Sequence, residues 1–143
     1  MRLWHKDLIP VLPRQQLLSQ WREVCGIAAN IAEKGLPDHI LVNKMMDYPV
    51  DNFVIYTDMV IKEINNRGYK ISDKALTNYR KNIQKSTYRF NNNRKCSLFC
   101  DWHNDIYLRQ CLYNLEEKYI CGGISNEEWQ RICAKFPEYE LCS

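Results

Sequence analysis

A run of apolar residues between Pro13 and Gly35 limits how this chain can fold more than any other feature. Leu17, Trp21, Val24, Ala28 and then Ile31 or Ala32 recur at helical spacing, and Leu18, Cys25 and Ala29 widen the same stripe. Pro13 suits the first position of a helix, while Lys34 and Gly35 supply a cation in the last turn and a left-handed stop. A helix over about 14–33 with one broad apolar face has to bury that face against other elements. Those elements read as further helices. A second runs over about 50–67, with Phe53, Val54, Val60, Ile61 and Ile64 on one face and Gly68 as its stop. Ser72 or Asp73 caps a third that reaches about residue 85, and Asn91 to Asn93 break the pattern.

A fourth helix fits about 104–118, through Ile106, Tyr107, Cys111, Leu112 and Leu115. Ser125 with Glu128 forms a capping-box pattern that opens a fifth over about 126–135. Residues 1–13 are expected to be extended, because Pro10 and Pro13 each push the residue before them out of the helical region. The stretch 36–50, with Pro37 and Pro49, connects the first two helices and has room for a short helical turn near 41–46. No segment alternates like a strand, and no repeat or linker is visible. The expectation is an all-α, compact single-domain bundle of about four to five helices over 1–143, with an extended N-terminal segment. Its 143 residues suffice for one core.

No apolar run reaches membrane-spanning length, and His5, Lys6 and Asp7 interrupt the start too early for a signal peptide. The expected location is therefore intracellular and cytoplasmic, with no membrane partner. The seven cysteines are odd in number and repeat no small secreted scaffold, which argues for thiols buried as small hydrophobes over a disulfide framework. Cys96-x3-Cys100-x2-His103 leaves a second reading open, a zinc-stapled interaction protein, although the spacing is not that of a standard knuckle. No metal and no cofactor are expected.

The net charge is only +3, but it is unevenly spread. Between Lys74 and Cys100 there is no Asp or Glu, while Arg80, Lys81, Lys85, Arg89, Arg94 and Lys95 all fall there; from Asp101 onward acids outnumber bases. Tyr79, Tyr88 and Phe90 interleave with those cations, as in a surface that tracks a nucleic-acid backbone and stacks on bases. A solvated helix face followed by a polar loop fits the same residues.

Arg22 and Glu23 are adjacent on the first helix. With Leu17 at zero and about 100° per residue, Glu23 lies about 240° round, outside an apolar stripe of roughly 140°. It points away from the packing face, and a role beyond solvation requires another segment to cover it. Residues 1–13 run back from the start of that helix and are placed to do so.

Met-Arg-Leu-Trp-His at the start, Pro-Arg-Gln-Gln-Leu-Leu from Pro13, the Arg22-Glu23 pair, His39, Val42-Asn43, Tyr48-Pro49 and Glu-Ile-Asn-Asn-Arg-Gly-Tyr over 63–69 together resemble the pyrimidine-dimer DNA glycosylase family, the endonuclease V-like enzymes. The resemblance extends to bacterial members with the same opening, and a weaker echo runs over 104–118. It implies a compact all-α DNA-repair glycosylase with associated AP-lyase activity, acting as a monomer on double-stranded DNA that contains damaged or abasic sites. Carried over residue by residue, it makes the α-amine of Met1 the nucleophile and Glu23 the catalytic acid. Arg2 and Arg22 become phosphate contacts; Arg80, Lys81, Lys85 and Arg89, outside that carry-over, offer a further DNA-binding surface on the strength of their own charge pattern. An amine suits the chemistry: with a reference pKa near 8, about a tenth of α-amines are unprotonated at pH 7. Two features depart from the family. Its arginine three residues after the glutamate is replaced here by Gly26, and its aromatic, basic tail by Phe-Pro-Glu-Tyr-Glu-Leu-Cys-Ser. The alternative is a non-catalytic DNA-binding protein on the same scaffold.

Overall fold

The computed structural model describes residues 2–37 and 39–141. Its organising element is α1 (Arg14–Lys34), which buries Leu17, Trp21, Val24, Ile27, Ala28 and Ile31 along one face and ends at Gly35 in the left-handed conformation. Helices α3 (Val50–Asn66) and α4 (Asp73–Ser86) pack on that face. Ser72 caps α4 by accepting from the Ala75 amide. Helices α5 (Asp105–Ile120) and α6 (Asn126–Lys135) form a second pair, α6 opening on a complete capping box between Ser125 and Glu128. Glu128 also accepts from the Arg14 backbone amide at 2.7 Å, so the start of α1 is tied to α6. The buried side chains form one continuous core.

The all-α class stands, and no strand occurs among the described residues. The helix count exceeds the four to five expected, because the 36–50 connection holds α2 (Ile40–Asn43) followed by a 3-10 turn, Lys44–Asp47. His39 starts α2 by accepting from the Leu41 amide, and Val42 and Met45 anchor it in the core. Residues 2–5 are free of helix as expected, but Lys6–Val11 is a 3-10 helix. Two local causes explain the difference. The His5 ring caps it by accepting from the Asp7 amide, and the fixed φ of Pro10 falls within the 3-10 range. Arg67, just after α3, holds this 3-10 segment from behind by donating to the carbonyls of Leu12 (2.7 Å) and Pro10 (3.1 Å).

Packing also corrects two faces read from the sequence. Ile106, placed on the buried side of α5, is 65% exposed, and Leu108 joins Cys111, Leu112 and Leu115 in the core instead. Tyr79 and Phe90 are core residues: Tyr79 meets Trp21 and Phe53, and Phe90 stacks on Phe53. Only Tyr88 of that aromatic set remains exposed. No helix among the described residues is long and apolar enough to cross a membrane.

Candidate active site

Gln20 is a polar side chain on the buried face of α1, with no exposed surface. Its amide behaves like a strand neighbour for residues 2–4. The Trp4 N–H donates to Gln20 Oε1 at 2.8 Å, and Gln20 Nε2 donates to the Arg2 carbonyl at 3.1 Å. The Tyr56 hydroxyl, from α3, donates to the Trp4 carbonyl at 2.7 Å and lies 3.0 Å from Gln20 Oε1. Tyr107, from α5, donates to the Leu3 carbonyl between them. Three helices thus fix the backbone of the N-terminal segment, and each partner satisfies a polar group that would otherwise be buried alone.

One turn after Gln20, Glu23 lies against the same segment, its Oε2 3.5 Å from Gln20 Nε2. Glu23 is half-buried. Burial raises its carboxyl above the ordinary carboxylate value, and the Arg2 amide and the Arg22 guanidinium hold that rise back. A cleft of about 260 Å³ opens over it, lined by Arg2, Trp4, His39, Leu41, Asn114 and Lys118 beside Glu23. The wall comes from four parts of the chain: the N-terminal segment, α1, the start of α2 and the last turns of α5. Arg2 and Lys118 make the rim basic around a carboxyl whose proton affinity is raised, an arrangement that can take an anionic group and exchange a proton beside it.

The residues singled out in the sequence separate into two places. Arg2 and Glu23 share the cleft, and Met1 lies outside the described residues. Arg22 is exposed, does not line the cleft, and donates to Ser19 Oγ at 3.0 Å. Arg80, Lys81, Lys85 and Arg89 are all exposed on or just after α4. Lys81 and Lys85 line a separate groove between α1 and α4, with Cys25, Gly26 and Ala29 as its other wall. Arg89 lies over the Tyr88 ring, 5.0 Å from its centroid. Trp4 and Trp21 are buried, and Trp4 also faces the cleft.

A Cβ added to Gly26 would meet nothing within 4 Å. Its helical position therefore carries the entropic cost of glycine without a packing reason for it. Gly26→Ala is expected to stabilise the protein by about 0.5–1 kcal/mol, read as a higher urea midpoint at unchanged slope.

The Cys-x3-Cys-x2-His reading does not hold as a metal centre. Cys96 and Cys100 are joined in a disulfide, contrary to the expectation of buried thiols, and among the described free cysteines only Cys111 is fully buried. His103 sits apart in an aromatic nest, accepting from the Lys6 amide at 2.9 Å and stacked on His5. Burial pushes its pKa down to about 2, with His5 and Lys6 adding to the effect. No group of three His, Cys, Asp or Glu side chains among the described residues could hold a metal ion.

Gln20, Asn114 and Lys118 were not singled out in the sequence, and His39 was noted only for its place in the family pattern. Gln20 alone left a signal: at about 300° on the same wheel it falls between Ile27 at about 280° and Ile31 at about 320°, where a polar residue needs a buried partner.

A family model described as pyrimidine dimer DNA glycosylase matches residues 1–77, just over half of the 143-residue chain. No curated protein and no solved structure matches. The matched span covers the N-terminal segment, α1, α2 and α3 and enters α4; Arg2, Glu23 and His39 lie inside it, while Asn114 and Lys118 lie beyond.

Proposed function

The chain belongs to the pyrimidine dimer DNA glycosylase family, and from that premise we propose that it excises damaged pyrimidines from double-stranded DNA and then cleaves the strand through an imine with the α-amine of Met1. The observation that carries this reading is the clamp of Gln20 on Arg2 and Trp4 beside Glu23. Met1 is bonded to Arg2, and consecutive Cα atoms are about 3.8 Å apart. The reading requires the amine one residue before the pinned Arg2 to reach the cleft that Arg2 lines.

The amine lone pair attacks C1′ of the damaged nucleotide, and the bond from C1′ to the base breaks with its electron pair leaving on the base, which is protonated. Opening of the sugar gives an imine. The imine acidifies the 2′ proton, whose loss expels the 3′ phosphate by β-elimination. Glu23 serves both halves of the sequence: its raised proton affinity suits donation to a departing group, and its ionised form stabilises positive charge on the sugar and accepts protons. Arg2 and Lys118 are assigned to phosphates flanking the extruded nucleotide. Arg22 and the α4 cations Arg80, Lys81, Lys85 and Arg89 are assigned to the duplex backbone on either side. The reading treats the chain as one intracellular domain acting without metal or cofactor.

A duplex carrying one pyrimidine dimer tests it. Incubation with the protein should break the damaged strand at the dimer and leave the undamaged control intact. Binding without cleavage would instead favour a non-catalytic DNA-binding protein on the same scaffold.

A further inference from the structure

Cys96 and Cys100 close a covalent ring in the loop between α4 and α5, and that ring is packed against the N-terminal segment. Leu98 and Phe99 lie inside it. The Leu98 carbonyl accepts from Lys6 Nζ at 3.0 Å, and the Phe99 N–H donates to the buried Asn52 side chain at 2.7 Å. The Phe99 ring has no exposed surface and meets Tyr56, whose hydroxyl holds the Trp4 carbonyl. It also meets His103, whose ring accepts from the Lys6 amide. The loop therefore bears on Lys6 directly and on Trp4 through Tyr56, the stretch that continues the clamped Arg2.

Three features set this disulfide apart from a structural staple. It joins residues at a sequence separation of 4, so it constrains little of the unfolded chain. Cys100 is exposed, where a reducing thiol can reach its sulfur. Between the two cysteines, Phe99 stands at φ 49°, in the left-handed region that bulky side chains rarely adopt. The covalent ring, Asn52 and the aromatic contacts hold it there together, so breaking the ring tips the balance back toward ordinary backbone.

We propose that Cys96 and Cys100 are a reversible thiol–disulfide site through which a dithiol reductant controls the placement of residues 2–6, and with it the amine of Met1. One thiolate of the reductant attacks Cys100 Sγ, and the S–S bond breaks with its electron pair on Cys96 Sγ, which takes a proton. The second thiolate of the reductant then attacks the mixed disulfide. It leaves the reductant as its own disulfide and Cys100 as a second thiol. Disulfides of chains kept in a reducing compartment are usually of this transient, sensing kind. The consequence for catalysis rests on the imine reading; the control of the segment does not.

The test follows segment and chemistry separately. Amide hydrogen exchange of the N-terminal peptide reads the segment. Trapping on an abasic duplex with cyanoborohydride, which spares disulfides, reads the amine. Dithiothreitol should speed the exchange and slow the trapping by at least about tenfold, and reoxidation with diamide should restore both. Cys96→Ser combined with Cys100→Ser should match the reduced wild type and ignore the reductant. Lys6→Met, which removes the link to Leu98 and leaves the disulfide, should speed exchange in the oxidised protein. Exchange and trapping that both ignore the redox state overturn the proposal. So does a reductant effect that persists in the double serine variant, since it then belongs to other cysteines. Exchange that follows the redox state in a protein that traps nothing leaves the control of the segment standing and removes the imine reading. Trapping by a protein whose exchange ignores the redox state does the reverse.

Discussion

Glu23→Gln should reduce base excision by about 10²–10⁴-fold, the span expected when a positioned acid–base group is removed, while the imine to a preformed abasic site still forms and can be trapped. The amide keeps the shape of the carboxyl and its place 3.5 Å from Gln20, so the N-terminal segment stays clamped and only proton exchange and charge stabilisation are lost. Single-turnover excision on a lesion duplex reads the first effect and reductive trapping the second.

The same substitution carries an opposite effect on stability. Burial raises the carboxyl of Glu23 above its ordinary value of 4.5. The unfolded chain therefore ionises it more readily than the folded one, and the folded state is penalised as pH rises from the unfolded value through the folded value. Below the unfolded value the carboxyl is protonated in both states and the penalty is absent. Glu23→Gln should thus gain melting temperature relative to the wild type at about pH 7 and lose that gain at about pH 4. A variant that is less active yet more stable at neutral pH is the pattern of a site held at a cost to the fold.

Gln20→Ala should destabilise the protein by about 2–4 kcal/mol and slow imine formation by roughly 10²-fold. Two polar groups lose their partner at once, the Trp4 N–H and the Arg2 carbonyl, while the Tyr56 hydroxyl keeps only its bond to the Trp4 carbonyl. All sit in the interior between the N-terminal segment and α1, so water cannot replace the amide without opening the segment. The activity loss follows from position, because Gln20 touches no substrate and acts by holding residues 2–4. Tyr56→Phe is the graded comparison. It removes one donor to the Trp4 carbonyl and leaves both Gln20 bonds, so it should cost about 1 kcal/mol and slow the imine step far less. Urea unfolding together with trapping rates measures both. An equal slowing by the two variants would mean that the clamp does not set the position of the amine.

Much of the scaffold was legible because its signals are local. The stripe from Leu17 to Ile31, the left-handed Gly35, the Ser72 cap and the Ser125–Glu128 box each act within one or two turns, and each stands where the sequence put it. The 3-10 helix over Lys6–Val11 escaped notice because proline was read as extension, while the His5 cap and the brace from Arg67 supplied the turn. Tyr79 and Phe90 were grouped with the cations by adjacency in sequence. Periodicity along α4 and contacts to Trp21 and Phe53 put Tyr79 in the core, and Phe90, beyond the end of α4, joins it by stacking on Phe53.

For the site, the cover of Glu23 by the N-terminal segment followed from the wheel, which turns Glu23 off the packing face, and from the run of residues 1–13 back from the start of α1. Asn114 and Lys118 could not be found that way, because nothing within α5 marks its last turns as the wall of a cleft whose floor lies some ninety residues earlier. The disulfide between Cys96 and Cys100 was likewise hidden, since the bond depends on the fold of the loop between α4 and α5.

The most direct measurement is to trap the protein with borohydride on a duplex containing an abasic site and locate the adduct by peptide mapping. The cleft offers a rival amine in Lys118, so the location decides the matter. An adduct on the α-amine of Met1, formed by the wild type and by Glu23→Gln and slowed in Gln20→Ala, is the result expected. An adduct on Lys118, or binding with no adduct at all, would contradict the account.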